Sequence, residues 1–310
     1  MKIDLNNIKE KATNTINITK EITNKSKDEI VNKTNKIVQK TYEELEISKE
    51  KVVETIDQNN DGQLTIEDII IAAFKVPGIK INREEFLKKE LQNHCTTEEI
   101  YNAITTTPIQ ASIPNETIEK IAKSVIQYER LCVSGISTAL SLPGGIAMAA
   151  TLPTDIAQFY GYMLRAAQKL LYLYGFPEID INDSQILDSA TMNTLIICMG
   201  VMYGVAGANS ALKSMAKALS IGVEKKLINT ALTKGTIYPI VKSISKWFNI
   251  RMTKEIFAGF FKKSIPVLGG VIGGGITYAT FKPCCERLMK TLQETKLYNV
   301  EDIKEEYIEI

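Results

Sequence analysis

The chain has 310 residues, 45% hydrophobic and 24% charged, with a formal net charge of +1. This is an ordinary globular balance, long enough for one large domain plus a small module and for a sizeable buried core. A single histidine, His94, excludes a His-rich zinc site and an HExxH motif, and leaves any Ser-His-Asp or Cys-His triad dependent on that one residue.

Residues 1–50 are rich in Lys, Asn, Thr and Ile and contain neither Pro nor Gly. Met1-Lys2-Ile3-Asp4-Leu5-Asn6 lacks an apolar h-region, so no secretory signal is expected. A loose period of eleven aligns Ile8, Ala12, Ile16, Ile22, Ile30 and Ile37 in one narrow apolar stripe. The segment reads as a polar amphipathic helix that docks on a partner or on lipid. Its Thr and Asn content weighs toward a marginal helix that frays. The five cysteines, Cys95, Cys132, Cys198, Cys284 and Cys285, form no CxxC pair, which favours a reduced, cytosolic chain.

Residues 51–110 read as a small helical module. Its core is Asp57-Gln58-Asn59-Asn60-Asp61-Gly62-Gln63-Leu64-Thr65-Ile66-Glu67-Asp68, which resembles an EF-hand calcium loop. A hard cation needs six to eight oxygens around one point, and this spacing wraps them there. The expected ligands are the side chains of Asp57, Asn59, Asp61 and Asp68, the carbonyl of Gln63, and Thr65 directly or through water. Gly62 allows the sharp turn. Asp68 is one methylene shorter than the usual closing glutamate, so calcium binding is expected to be weakened and magnesium to compete. An entering helix should end at Lys51–Ile56 and an exiting helix should span Glu67–Phe74, stopped by Val76-Pro77-Gly78. A further helix starts near Asn82, and Thr96–Glu99 reads as a capping box for another. His94 lies in a polar helix end, where a surface role is expected.

Residues 111–310 read as a second, larger domain, all-α, because no run of alternating strands occurs. Three long stretches carry no formal charge: Leu131–Thr154, Ser189–Leu212 and Ser264–Phe281. Pro143-Gly144-Gly145 and Pro153 should break the first. The polar residues of the second and the glycines of the third favour buried, Gly-rich bundle helices over membrane spans. Asp155, Gln158, Tyr162, Arg165 and Lys169 fall three or four apart along one helix and form a polar stripe. That stripe is either a polar pocket, for a lipid head group or an acidic partner, or a buried network that fixes helix register.

Two blocks carry a wider resemblance. One is Leu142-Pro143-Gly144-Gly145 with Leu152-Pro153-Thr154-Asp155-Ile156 and the long helix through Arg165 to Tyr174-Gly175-Phe176. The other is Ile265-Pro266-Val267-Leu268-Gly269-Gly270-Val271-Ile272-Gly273-Gly274-Gly275-Ile276-Thr277-Tyr278. Residues 114–292 resemble the EcsC family of bacterial proteins. The resemblance implies a helical, membrane-associated protein with no accepted catalytic activity. The calcium loop and the N-terminal helix lie outside it.

Between Asn209 and Lys263 there are eleven Lys/Arg against two acids. Among them sit the only tryptophan, Trp247, and several phenylalanines. Lys242, Lys246, Trp247, Arg251, Lys254, Phe257, Phe261, Lys262 and Lys263 are expected to share a surface that suits an anionic membrane or a membrane protein. Nucleic acid fits less well, because Arg is scarce and the interleaved residues are apolar. The whole reads as a non-enzymatic, calcium-binding protein of the EcsC type, cytoplasmic and peripheral to the inner membrane face, with an integral membrane protein as the alternative placement. The alternatives are a lipid-modifying enzyme or hydrolase built on Asp155 and Arg165, or a soluble structural adaptor.

Overall fold

A computed structural model describes residues 54, 56–57, 63–140, 146–179, 188–221, 225–249, 269–295 and 297, with the backbone alone at 135–140, 146–155, 225 and 269–278. The N-terminal segment 1–50 lies outside the described residues. Those described are helices joined by turns, with no strand among them.

Local chemistry sets the first helices. Glu54 and Ile56 are helical, ahead of the loop. Helix α1 (Ile66–Phe74) opens at Thr65, whose side chain accepts from the Asp68 amide while the Asp68 carboxylate reaches back to the Thr65 amide. This reciprocal cap satisfies two donors that a helix start leaves open. Helix α2 (Arg83–Leu91) opens at Asn82, whose side chain accepts the Glu85 amide at 2.9 Å. Helix α3 (Thr97–Thr105) opens on the Thr96–Glu99 capping box that the sequence predicts. His94 is exposed in the turn between α2 and α3.

Helix α4 (Asn115–Leu140) buries Ile118, Ala122, Val125, Ile126 and Val133 along one face. Helix α5 (Ile146–Leu173) runs through Pro153, which the sequence reading took as a break. Proline there forfeits one hydrogen bond and adds ring strain, about 3 kcal/mol. The dense burial of 163–174, where all but Arg165 are buried, outweighs that local cost. The helix ends at Gly175 (φ 88°), with the amide of Phe176 bonded to the Leu171 carbonyl and that of Gly175 to Tyr172, a Schellman stop.

The uncharged stretch 189–212 is two helices rather than one. Helix α6 (Ser189–Tyr203), capped by Asp188, is buried over most of its length. Gly204 (φ 70°) and Gly207 (φ 84°) then turn the chain into α7 (Ala208–Ser220). L-residues reach that left-handed region only at a cost, so these glycines end the helix. Helices α8 (Lys225–Thr233), α9 (238–249) and α10 (Gly269–Gln293) complete the described chain. Helix α5 is central and touches α1, α2, α4, α6 and α10, while α10 also lies along α4. Among the described residues no helix is long and apolar enough to cross a membrane. The five cysteines are free thiols, and Cys198, Cys284 and Cys285 are buried.

Candidate functional site

The loop's two ends are described, and both ends carry a buried carboxylate. Asp57 is 7% exposed and Asp68 is 4% exposed. Buried carboxylates are costly unless paired or bound to a cation. Asp68 Oδ2 accepts from the Thr65 amide at 3.0 Å and, in a very short contact, from the Thr65 hydroxyl. The Asp68 amide donates to Thr65 Oγ1 at 3.2 Å. Thr65 is half-buried and Gln63 is exposed. Asn59 and Asp61, the two middle ligands of the sequence reading, lie outside the described residues. Helix α1 starts at the tenth place of the twelve-residue motif, so Asp68 is its third residue. The described donors are all hard oxygens, which fits calcium or magnesium in kind. Among the described residues no three His, Cys, Asp or Glu gather into a metal-binding group.

Two bonds fasten this loop exit to a distant part of the chain. The Ile66 amide donates to Asn249 Oδ1 at 3.2 Å, and Ser245 Oγ donates to Glu67 Oε1 at 2.9 Å. Ile66 is fully buried, so its amide depends on a protein partner.

The polar stripe of α5 resolves into two sets of partners. Glu129, wholly buried on α4, accepts through Oε1 from Lys169 Nζ at 2.5 Å and from Arg165 Nε at 3.1 Å. Lys169 also lies over the Phe86 ring at 5.6 Å and the Tyr128 ring at 5.5 Å. Arg165 stands over Tyr162 at 5.6 Å. Burial pushes the Tyr162 phenol up, and a hydrogen bond to Cys132 pushes Tyr128 up, so both rings stay neutral. Gln158 is half-buried, and its carbonyl oxygen has no partner among the described residues. The Asp155 side chain lies outside them.

The second set holds backbone. Arg165 Nη1 donates to the Gly78 carbonyl at 2.9 Å. Gln168 Nε2 donates to Ile79 O at 2.9 Å, and Gln168 Oε1 accepts the Ile81 amide at 3.1 Å. Tyr172 Oη donates to Ile81 O at 3.3 Å and accepts the Ile179 amide at 3.2 Å. Arg165, Gln168 and Tyr172 are three and four apart, one face of α5. That face therefore straps down the connection between α1 and α2. Sequence reasoning found Arg165 and Lys169 but missed Glu129, Gln168 and Tyr172. Glu129 was detectable, because it falls in step with the apolar face of α4.

A cleft of about 580 Å³ opens elsewhere, with Arg83, Thr106, Gln110 and Glu178 in its lining. Arg83 is spent on the carbonyls that end α3. Its two Nη atoms donate to Ala103, Ile104 and Thr106 at 3.2, 2.7 and 2.9 Å.

On α9, Lys242 and Lys246 are exposed and Trp247 is half-buried. Trp247 meets Phe248 edge-on at 5.0 Å and Tyr203 at 6.2 Å. Tyr203 stacks on Tyr160 at 6.4 Å. The remaining residues of the expected basic surface, Arg251, Lys254, Phe257, Phe261, Lys262 and Lys263, lie outside the described residues. No protein-family model, curated protein or solved structure matches this chain.

Proposed function

We propose that the chain is a non-enzymatic, calcium-responsive helical protein of the EcsC type that works at an anionic membrane surface. One observation carries the calcium part. The motif's first and last carboxylates, Asp57 and Asp68, are both buried, and helix α1 begins at the motif's tenth place. The ion would be held by Asp57, Asn59, Asp61 and Asp68, the Gln63 carbonyl and Thr65, with magnesium as a competitor. The bound cation would add positive charge beside these two buried carboxylates. The chain's own residues do the rest. Thr65 fixes the start of α1, and Asp68 would serve both the cap and the loop.

The membrane part rests on the basic stretch and on exposed Lys242 and Lys246 beside Trp247. The hydrolase alternative loses support. Arg165 already serves Glu129 and Gly78, and Lys169 is buried against the same carboxylate.

Calorimetry of the full chain with calcium should give a saturable heat that Asp57→Ala abolishes, with a Kd in the ~micromolar to ~millimolar range. Flotation with anionic vesicles should then increase when calcium is present. A chain that gives no heat, or one whose heat survives Asp57→Ala, refutes the calcium reading. Flotation that is equal with and without calcium reduces the protein to an adaptor.

A further inference from the structure

We infer that helix α9 is the output arm of the loop, a deepening that rests on the calcium reading above. The first turn of α1 is where two demands meet. Asp68 closes the cap on Thr65 in the arrangement described. The same carboxylate is the motif's twelfth ligand. The Thr65 amide and hydroxyl both rest on Oδ2, so a cation that draws on this carboxylate competes with them for its charge, and the first turn readjusts.

That turn is also the one gripped by α9. Ser245 and Asn249 are four apart, so they lie on one face of that helix. They hold Glu67 and the Ile66 amide, neighbours of Thr65 and Asp68 in the chain. No third element intervenes. On its other side α9 is seated firmly. Ile244 is fully buried and lies so close to Gly200 of α6 that a Cβ there would be 2.9 Å from its Cγ2. Trp247 stands between Ser245 and Asn249 in sequence and packs against Tyr203 and Phe248. A change in the first turn of α1 therefore reaches the surroundings of Trp247 and the placement of Lys242 and Lys246.

The sign of the coupling follows from which form holds the bonds. Both bonds to α9 are made in the arrangement described, with Asp68 capping Thr65, so they resist a shift of that first turn. A ligand whose binding shifts that turn works against them. Cutting the bonds should tighten calcium binding. Couplings between sites typically span 5- to 150-fold in affinity, and a gain of about 5-fold is expected here.

The test uses the full chain, calcium chloride and two readouts. Trp247 is the only tryptophan, so emission reports α9 alone, and calorimetry reports binding. Wild type should show heat and a saturable change in Trp247 emission with the same midpoint. Ser245→Ala/Asn249→Ala should keep the heat, bind about 5-fold more tightly and lose the emission change. Asn249→Asp with Ser245→Thr, which keep the carbonyl-type acceptor and the hydroxyl, should retain the response. Where the double variant fails to fold by circular dichroism, Ser245→Ala alone serves, because Ser245 is only half-buried. Heat without any emission change in wild type overturns the coupling while leaving the calcium site standing. An emission change that persists undiminished in the uncoupled variant also overturns it. Absence of heat in wild type overturns both.

Discussion

Replacing Glu129 by Gln tests the claim that the α5 stripe is a structural ion cluster. The carboxylate is 0% exposed, and its Oε1 serves two cations at once. The two cations do not lose equally. The Arg165 side chain is 21% exposed and keeps its bond to Gly78, so water and a carbonyl remain to it. The Lys169 side chain is 9% exposed and is left with the faces of Phe86 and Tyr128. Removing one partner of a buried pair typically costs about 3–5 kcal/mol, and a cation over an aromatic face returns about 1 kcal/mol of that. A net loss of about 3 kcal/mol lowers Tm by roughly 4–5 °C in a chain of this size. Scanning calorimetry of Glu129→Gln checks the figure. Glu129→Leu/Lys169→Met, which removes the stranded charge as well, should recover most of the loss. A single variant that melts within about 2 °C of wild type refutes the reasoning, because it means Lys169 reaches water or another anion.

Two further outcomes are expected. Gly200→Ala places a Cβ at 2.9 Å from Ile244 Cγ2 and 3.0 Å from Ala208 Cβ, so α6, α7 and α9 must separate at one point. Overpacking of this kind costs about 1–3 kcal/mol, read as a lowered urea midpoint with unchanged m-value. Stability should also fall in alkali. Burial raises the Cys198 thiol from 9.0 to about 12 and the Tyr172 phenol from 10.0 to about 12. Between the ordinary and the raised values the folded chain binds more protons than the unfolded chain, so stability is full below about pH 9 and is lost as the pH climbs toward 12. Urea midpoints measured at rising pH should decline across that window and decline less in Cys198→Ala. A midpoint that holds level or rises contradicts the assignment.

What could be read from the sequence was local. Thr96–Glu99, Asn82 and the start of α1 follow from side chains that cap helices within three residues of themselves, and the all-α character follows from periodicity. Glu129 was half-visible, since a lone acid in register with Ile118, Ala122, Val125 and Val133 announces a buried partner without naming it. The rest depends on contacts that no spacing encodes. Ser245 and Asn249 meet α1 across 178 and 183 residues. Gln168 and Tyr172 bond to backbone atoms, which every residue has, so no motif marks their target. Pro153 misled because its local penalty is set against burial spread over the whole of α5. Gly204 and Gly207 end a helix only because the chain adopts positive φ there.

The strap on residues 78–81 has a mechanical consequence for α1. Its trailing connection is fixed to α5 through backbone atoms of Gly78, Ile79 and Ile81. That hold does not depend on which side chains occupy 79–81. It braces the C-terminal end of α1 through backbone atoms, while the N-terminal end, with Ile66 fully buried, is joined to α9 by two side-chain bonds. A nine-residue rod held in this way cannot slide along its axis. A tilt of the helix about the strap would therefore be smallest near Phe74 and largest at Thr65, Ile66 and Glu67, where α9 is attached.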